Sequence, residues 1–286
     1  MDKTSIIILN WNSADDTIEC IKSLEKVKGN FEVILLDNGS KNEDFIKLKK
    51  LKTNLKLKLF REKQNTGFAR GNNIAIKHAD KNSTYYCLLN NDTIVESNFL
   101  VKLLETIKKN DMIAAVSPKI MYYSNPKIIW AAGSTFNEFT GRATLRCFNQ
   151  KDFSEGEKEV SALVGCCMLI RKHVWIKTKG FGEKYFAYIE ETDWCFRTKK
   201  LGFKLFLQPH SVIYHKVGMS TGGGYSPRSI FLLVRNKRYF IAKNSHGLQF
   251  ILWGFFYFIE VIARLLLYNI IDFEKSMKVV QAIFSS

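Results

Sequence analysis

The chain predicts an α/β protein, with a mostly parallel central sheet, helices on both faces and a helical C-terminal region. Three observations carry that expectation. Within the first 90 residues, short apolar runs alternate with helix-periodic stretches in the order strand, helix, strand, helix, strand. The three clearest runs stop at polar clusters, Asn10-Trp11-Asn12, Asp37-Asn38-Gly39-Ser40 and Asn90-Asn91-Asp92, which sets a polar rim along the carboxyl edge of the sheet. A length of 286 residues with 46% apolar content suits one large domain with an appendage better than two full domains.

Residues 5–9 are a β-branched first strand, after which Asp15 or Asp16 opens a helix with Ile18, Ile21 and Leu24 at helical spacing. Residues 31–36 form the second strand. The lysine-rich stretch 48–60 reads as a helix ending near Asn54 and then an alternating strand, LKLKLF. In NTGFARGNNIAIKHA a glycine-bearing loop leads into a helix from about Arg70, and the buried strand YYCLL follows. A helix after Asn98, a strand over 113–116, irregular structure over 122–159 and a buried strand over 161–170 come next. ETDWCFRTKKLG is helical, residues 203–207 and 212–214 are two further short strands, and STGGGYSP at 220–227 separates the main domain from the C-terminal helices.

Residues 248–271 are apolar enough and long enough to cross a bilayer, yet they carry Glu260 and Arg264 four apart. A charge at mid-bilayer costs about 2.5–3.5 kcal/mol on insertion scales. Three placements follow: a helix lying in the membrane interface, a span, or a helix packed on the domain. The basic, aromatic flank RNKRYFIAK suits an anionic membrane face.

The net charge of +16 attracts anionic partners of several kinds, among them nucleic acid, acidic membranes and nucleotide diphosphates. The excess is spread along the chain and accompanies no zinc-finger spacing or aromatic RNA-binding signature, so no nucleic-acid partner is expected. Six cysteines without CxxC spacing, several of them in apolar runs, point to a reduced, cytosolic setting. The apolar run in MDKTSIIILNWN is too short for a signal sequence.

Asp92 ends an apolar strand behind Asn90 and Asn91, and a strand-end carboxylate of this kind either caps a turn or supplies a hard oxygen to Mg²⁺ or Mn²⁺. His215, at the end of SVIYH and before a glycine-rich stretch, is either a second ligand or a buried structural histidine. Asp37 and Asn38 reach a base or ribose, or form an Asx-turn. Gly67 and Gly71 permit close backbone approach, Arg70 offers a planar cation for phosphate, and Asn73 binds a base or braces its loop. Glu190 and Glu191 stand at the start of a helix, where acids also favour the dipole, beside Asp193 and the aromatics Tyr185, Phe186, Tyr188 and Trp194. A glutamate desolvated there has the raised pKa that a general base needs, and Arg197 is spaced to pair with Asp193.

The series SIIILNWN, VILLDNGS, NTGFARGNN, LLNNDT, GFGEKYFAYIEETDWCFR and HKVGMS resembles family 2 glycosyltransferases over residues 4–240, and within them the bacterial rhamnosyltransferase-like branch of surface-polysaccharide enzymes. The resemblance implies a GT-A fold, a nucleotide-sugar donor, a divalent metal and inversion at the anomeric carbon. It divides the chain into a catalytic domain, residues 1–225, with a nucleotide-binding half to about 115 and an acceptor-binding half beyond, and a helical region, residues 226–286. Carried onto matching positions, Asn10, Asn12, Asp37, Asn38, Arg70, Asn73, Asn90 and Asn91 serve the donor. Asp92 matches the last acid of the family's DXD-type motif, whose first position is here Asn90, and His215 completes the metal site. Glu191 matches the base of the Glu-Asp-x-Asp pattern with Glu190 beside it, while Tyr188, Asp193 and Trp194 fall on the acceptor side.

The implied acceptor is a glycan or a polyprenyl-diphosphate-linked glycan, the implied donor dTDP-rhamnose or a UDP-sugar, and the implied setting the inner face of the bacterial plasma membrane. Two other classes share the features: a nucleotidyltransferase, which wants a glycine- and lysine-rich signature that NWNSADD lacks, and a non-catalytic nucleotide-binding module, which tolerates loss of Glu191.

Overall fold

The computed structural model of the protein describes residues 2–217 and 226–285. The first half alternates β1 (Thr4–Asn10), α1 (Ala14–Leu24), β2 (Phe31–Asp37), α2 (Asn42–Lys49), β3 (Leu57–Arg61), α3 (Phe68–Ile76) and β4 (Tyr85–Leu89). The four strands are parallel in the order β3-β2-β1-β4, and Asn10 pairs with Asp37 in register. Strand alternation assigns the helices to faces. Ile6 and Ile8 of β1 pack with Cys20, Ile21 and Leu24 of α1, whereas Ile7 joins Ala69 and Ala75 of α3 on the other side. Each fully buried isoleucine contributes about 1.5–3 kcal/mol, so the helix-on-both-faces arrangement is fixed by this short run.

The chain continues through β5 (Thr93–Val95), α4 (Phe99–Ile107), β6 (Ile113–Tyr122), β7 (Ile128–Ala131), β8 (Ser134–Asn137), β9 (Arg142–Leu145), β10 (Gln150–Lys151), β11 (Lys158–Val160), β12 (Cys167–Arg171), α5 (Lys172–Lys177), α6 (Glu190–Lys200) and β13 (Lys204–His215). The central sheet extends as β10-β7-β6-β12-β4-β1-β2-β3, with β12 antiparallel between β4 and β6. Several expectations are corrected here. The lysine-rich helix runs over Asn42–Lys49 and stops before 51, and the segment 122–159 contains five short strands. Residues 161–166 precede β12 rather than belonging to it. The two strands expected at 203–214 are one, β13, because a bulge between Gln208 and Val212 absorbs Pro209 and lets pairing with β6 resume.

The C-terminal region consists of α7 (Pro227–Asn244), α8 (Gly247–Ile271) and α9 (Phe273–Phe284). Ser226 caps α7, accepting the Ser229 amide at 3.2 Å, and Pro227 occupies the first turn. Of the glycine-rich stretch expected at 220–227, residues 220–225 lie outside the described residues. The helices form their own small core around Ile230, Val234, Val261 and Val279, while Tyr185, Phe240 and Trp253 fasten them to the main domain. Trp253 also donates to the Glu138 carbonyl at 2.7 Å and lies on Gly141, where an added Cβ would meet its ring at 2.5 Å. Gly141 also has φ +63°, so two constraints favour glycine there.

Candidate active site

At the carboxyl ends of β1, β2 and β4 a cleft of about 460 Å³ opens toward α6 and α7. Asn10, Trp11, Asn38, Asn65 and Asn72 line one side. Asn10 is held from three directions: its amide donates to Asp37 Oδ1 at 2.9 Å and Asp44 Oδ2 at 2.8 Å, and Thr17 donates to its carbonyl at 2.8 Å. Asn91 donates to the same Thr17 hydroxyl at 2.9 Å, so the ends of β1 and β4 share one network. Asn38 receives the amide and hydroxyl of Thr66 at 3.1 and 2.8 Å and donates to the Gly67 carbonyl at 3.1 Å. Gly67 must be glycine: φ is +85°, and a Cβ would lie 2.5 Å from the Phe186 carbonyl.

On the floor stand Asp92 and His215. The final pairing of β13 with β5 sets His215 against Thr93, and Lys216 donates its amide to the Asp92 carbonyl at 2.9 Å. His215 Nε2 consequently lies 3.2 Å from Asp92 Oδ1, with Trp130 edge-on to the imidazole at 4.5 Å. Burial works against the imidazolium, but Cys166 and Asp92 outweigh it and push the His215 pKa up to about 10. Asp92 Oδ1, His215 Nδ1 and Asn90 Oδ1 are buried without a hydrogen-bond partner. A carboxylate oxygen of Asp92 and the imidazole of His215, 3.2 Å apart in the cleft floor, fit an Mg²⁺ or Mn²⁺ ion that would displace the imidazolium proton and keep its remaining positions for phosphate oxygens and water. Among the described residues no third His, Cys, Asp or Glu completes an all-protein metal cage.

Glu190 and Glu191 enter the cleft from the start of α6. The segment before them is strained: Phe186, Tyr188 and Ile189 have φ of +63°, +70° and +73°, and sparsely populated backbone conformations of this kind cost about 1–3 kcal/mol each. Burial first, then the charges of Glu191 and Asp193, push the Glu190 carboxyl well above the usual range, and its Oε2 has no partner. Burial raises Glu191 as well, but backbone amides at the head of α6 steady its carboxylate.

The structure brings Asn10, Asn38, Asn90, Asn91, Asp92, Tyr188, Glu190, Glu191 and His215 to one cleft and leaves six expected residues off its lining. Asn12 accepts the Lys41 amide at 2.9 Å and shapes the turn beyond β1. Asp37 is enclosed between Asn10 and Arg61, at 2.9 and 3.1 Å. Arg70 faces outward toward Glu183 at 3.7 Å, and Asn73 ties α3 to Phe181. Asp193, expected on the acceptor wall, is fully buried and ion-paired with Arg197 and Lys243, at 2.8 and 2.9 Å. Trp194, likewise buried, donates to Thr178 at 2.8 Å. The lining also includes residues that were not among the expected site residues, notably Trp11, Asn72, Trp130 and, from α7, Arg228, whose guanidinium lies over the rings of Trp11 and Phe186.

The family model described as glycosyl transferase family 2 matches residues 5–177. The chain belongs to that family. Among curated relatives, the low-salt glycan biosynthesis hexosyltransferase Agl10 of Haloferax volcanii is 24% identical over 86% of this chain and 76% of its own length. The N-acetylglucosaminyl-diphospho-decaprenol L-rhamnosyltransferase of Mycobacterium tuberculosis is 32% identical over 35% of this chain, and the match takes in only 32% of that enzyme. Among solved structures, the mannosyltransferase PcManGT of Pyrobaculum calidifontis, in complex with GDP-Man and Mn²⁺, superposes with a TM-score of 0.64 at 13% identity, covering 98% of this chain and 73% of that one. The fold of this family 2 glycosyltransferase is GT-A, and family membership sets aside the nucleotidyltransferase alternative.

Proposed function

We propose that the protein is an inverting glycosyltransferase that moves a sugar from dTDP-rhamnose or a UDP-sugar to a glycan or a polyprenyl-diphosphate-linked glycan in surface-polysaccharide synthesis. One observation carries the reading: the Asp92–His215 pair and the Glu190–Glu191 pair, far apart in sequence, face the same 460 Å³ cleft. Asn10 and Asn38 serve the nucleoside, with Asn90 and Asn91 beside the diphosphate. Asp92 and His215 would hold Mg²⁺ or Mn²⁺, which supplies charge neutralisation for the departing diphosphate. Arg228, the one lysine or arginine among the described lining residues, adds a cation on the same side. Glu191 takes the proton of the acceptor hydroxyl as that oxygen bonds to the anomeric carbon. The carbon–oxygen bond to the diphosphate breaks on the opposite face, and its electron pair leaves with the nucleotide. No second carboxylate acts as acid, unlike in an inverting hydrolase, so a protonated Glu190 is tolerated.

The decisive experiment screens dTDP-rhamnose, UDP-glucose, UDP-galactose and UDP-N-acetylglucosamine with Mg²⁺ or Mn²⁺, first for thermal stabilisation and then for transfer to a polyprenyl-diphosphate sugar. One donor should stabilise the protein and yield a product of inverted configuration by NMR. Retention of configuration, or no response to any donor, removes the proposal.

A lipid-borne acceptor and a peripheral place on the inner membrane face are supported by α8. Glu260 points inward, bonded to Arg264 at 2.9 Å and to Lys237 of α7 at 3.2 Å, so both charges expected within an apolar span are tied up on the protein side. The opposite side exposes Leu248, Ile251, Phe255, Phe258, Ile262 and Leu266 at helical spacing. That geometry suits a helix lying in the interface better than one crossing it. The RNKRYFIAK cations contribute less than expected, since Arg235, Lys237, Arg238 and Lys243 are all engaged within the protein. Replacing Ile251, Phe255 and Phe258, which are 57–65% exposed, with Asp should abolish co-sedimentation with vesicles at unchanged melting temperature. Wild-type protein that stays in the supernatant with both neutral and anionic vesicles would exclude the attachment.

A further inference from the structure

The positive-φ segment that delivers Glu190 and Glu191 is held from α7, chiefly by Asn236 with its neighbour Arg235. Asn236 of α7 is fully buried, and its amide nitrogen donates to the carbonyls of Tyr185, Ala187 and Tyr188 at 2.8, 2.7 and 2.8 Å. These acceptors fall within the run that contains the positive-φ residues Phe186, Tyr188 and Ile189. The amide cannot turn over, because its oxygen accepts from Arg235 Nε at 3.0 Å and Nη2 at 2.8 Å. Nη2 of Arg235 also reaches the Lys184 and Tyr185 carbonyls, both at 3.0 Å. About two helical turns on, the same helix grips the other side of the glutamates: Lys243 meets both oxygens of Asp193 at 2.9 Å, and Asn244 donates to Asp193 Oδ1 at 2.9 Å.

Glu190 and Glu191 are therefore suspended between two attachment points on α7. Strained backbone persists only where its surroundings over-determine it, and here the determinants are the Asn236 donors. Asn236 is absent from the described lining of the cleft, so it has no part in holding the donor. We infer that Asn236, oriented by Arg235, is a positioning residue for the general base, which makes α7 part of the catalytic machinery rather than an appendage. The inference rests on the reading of Glu191 as base.

The test compares Asn236→Asp with wild type in the full-length protein. The aspartate keeps the shape but removes both donors and turns an acceptor toward three carbonyls. Because a misplacement of about 1 Å at a reacting group costs about 10²-fold, kcat should fall by roughly that factor. The donor KM and the affinity for the free nucleotide should stay within about threefold, since the groups that serve the donor, at the ends of β1, β2, β4 and β13 and at Arg228, lie outside the run from Tyr185 to Ile189. Asn236→Gln, which keeps the donors one methylene further out, should recover part of the loss. Should Asn236→Asp fail to fold, Arg235→Lys, which keeps the charge and loses the fork, should show a smaller fall confined to kcat. Unchanged kcat, or losses in kcat and nucleotide affinity that both follow the folded fraction, overturn the inference. Glu191→Gln in the same assay separates the two ideas: if it is inactive while kcat of the Asn236 variant is normal, only the positioning role fails, whereas if it is active the base assignment fails.

Discussion

Replacing Glu191 with Gln should lower the transfer rate by about 10³-fold while nucleotide affinity and melting temperature stay near wild type. A positioned general base contributes about 10²–10⁴-fold, and glutamine preserves the side-chain volume while removing the only function asked of it. Donor affinity should survive because Asn10, Asn38 and the Asp92–His215 pair lie on other elements. The wild-type pH profile carries a second signature. Burial raises the Glu191 carboxyl above its ordinary value, so the proton-accepting form appears only at pH values above the usual carboxylate range, and the acid limb of kcat/KM should be displaced to higher pH accordingly. In stability the same cause has the opposite sense. The native state holds protons on Glu190 and Glu191 more tightly than the unfolded chain does, so this contribution is full below the unfolded pKa and is lost as pH rises through the native one. Steady-state rates and titration calorimetry across pH check both statements, and a Glu191→Gln enzyme with undiminished kcat would reassign the base.

The first half of the chain was open to reading because its signal is local. Ile6, Ile7 and Ile8 can be satisfied only between two helix layers, and the change from apolar run to Asn or Asp marks each strand end without reference to the rest of the chain. The meeting of Asp92 with His215 was not local. It depends on β13 crossing its bulge and pairing with both β6 and β5, which no periodicity records, so the local sequence left His215 open between a second ligand and a structural histidine, and the resemblance to the family favoured the first. On α3 the period itself sorts the donor-side candidates. Phe68 and Asn72, four apart, face the cleft, whereas Arg70 and Asn73 are rotated toward the loop around Phe181 and Glu183. Asp193 and Trp194 looked like a site wall because acids and aromatics cluster there. What encloses Asp193 is Lys243 and Asn244, about fifty positions later, and a cluster read in one dimension does not reveal a partner that arrives in the third. Trp11 stood in plain view directly after a strand end, and Trp130 alternates with buried neighbours in β7, the pattern of a half-exposed face, yet neither carries charge to draw attention.

Asp92→Asn should be as severe as loss of the base, but through binding as well as rate. The substitution keeps the shape and the backbone bond from Lys216 but removes the carboxylate charge that faces His215 at 3.2 Å, so the melting temperature should fall as well. What disappears is the one formal negative charge among the oxygen donors at that end of β4, since Asn90 and Asn91 are neutral. A divalent cation facing a nucleotide diphosphate prefers hard, charged oxygen ligands, and an amide with an imidazole is a weak substitute. In wild type, Mn²⁺ should tighten nucleotide diphosphate binding measured by calorimetry, and chelation should reverse the effect. In Asp92→Asn the affinity should equal the chelated wild-type value whether or not Mn²⁺ is added, and transfer should fall by about 10³-fold, in line with the several kcal/mol that a metal supplies to a developing charge. His215→Ala breaks the same pair from the other side. It leaves the buried Asp92 carboxylate without its 3.2 Å neighbour, and breaking a buried pair in this way costs about 3–5 kcal/mol, so that variant should lose stability together with activity. A metal response of nucleotide binding that persists undiminished in Asp92→Asn would place the cation elsewhere in the cleft and leave Asp92 as the structural partner of His215.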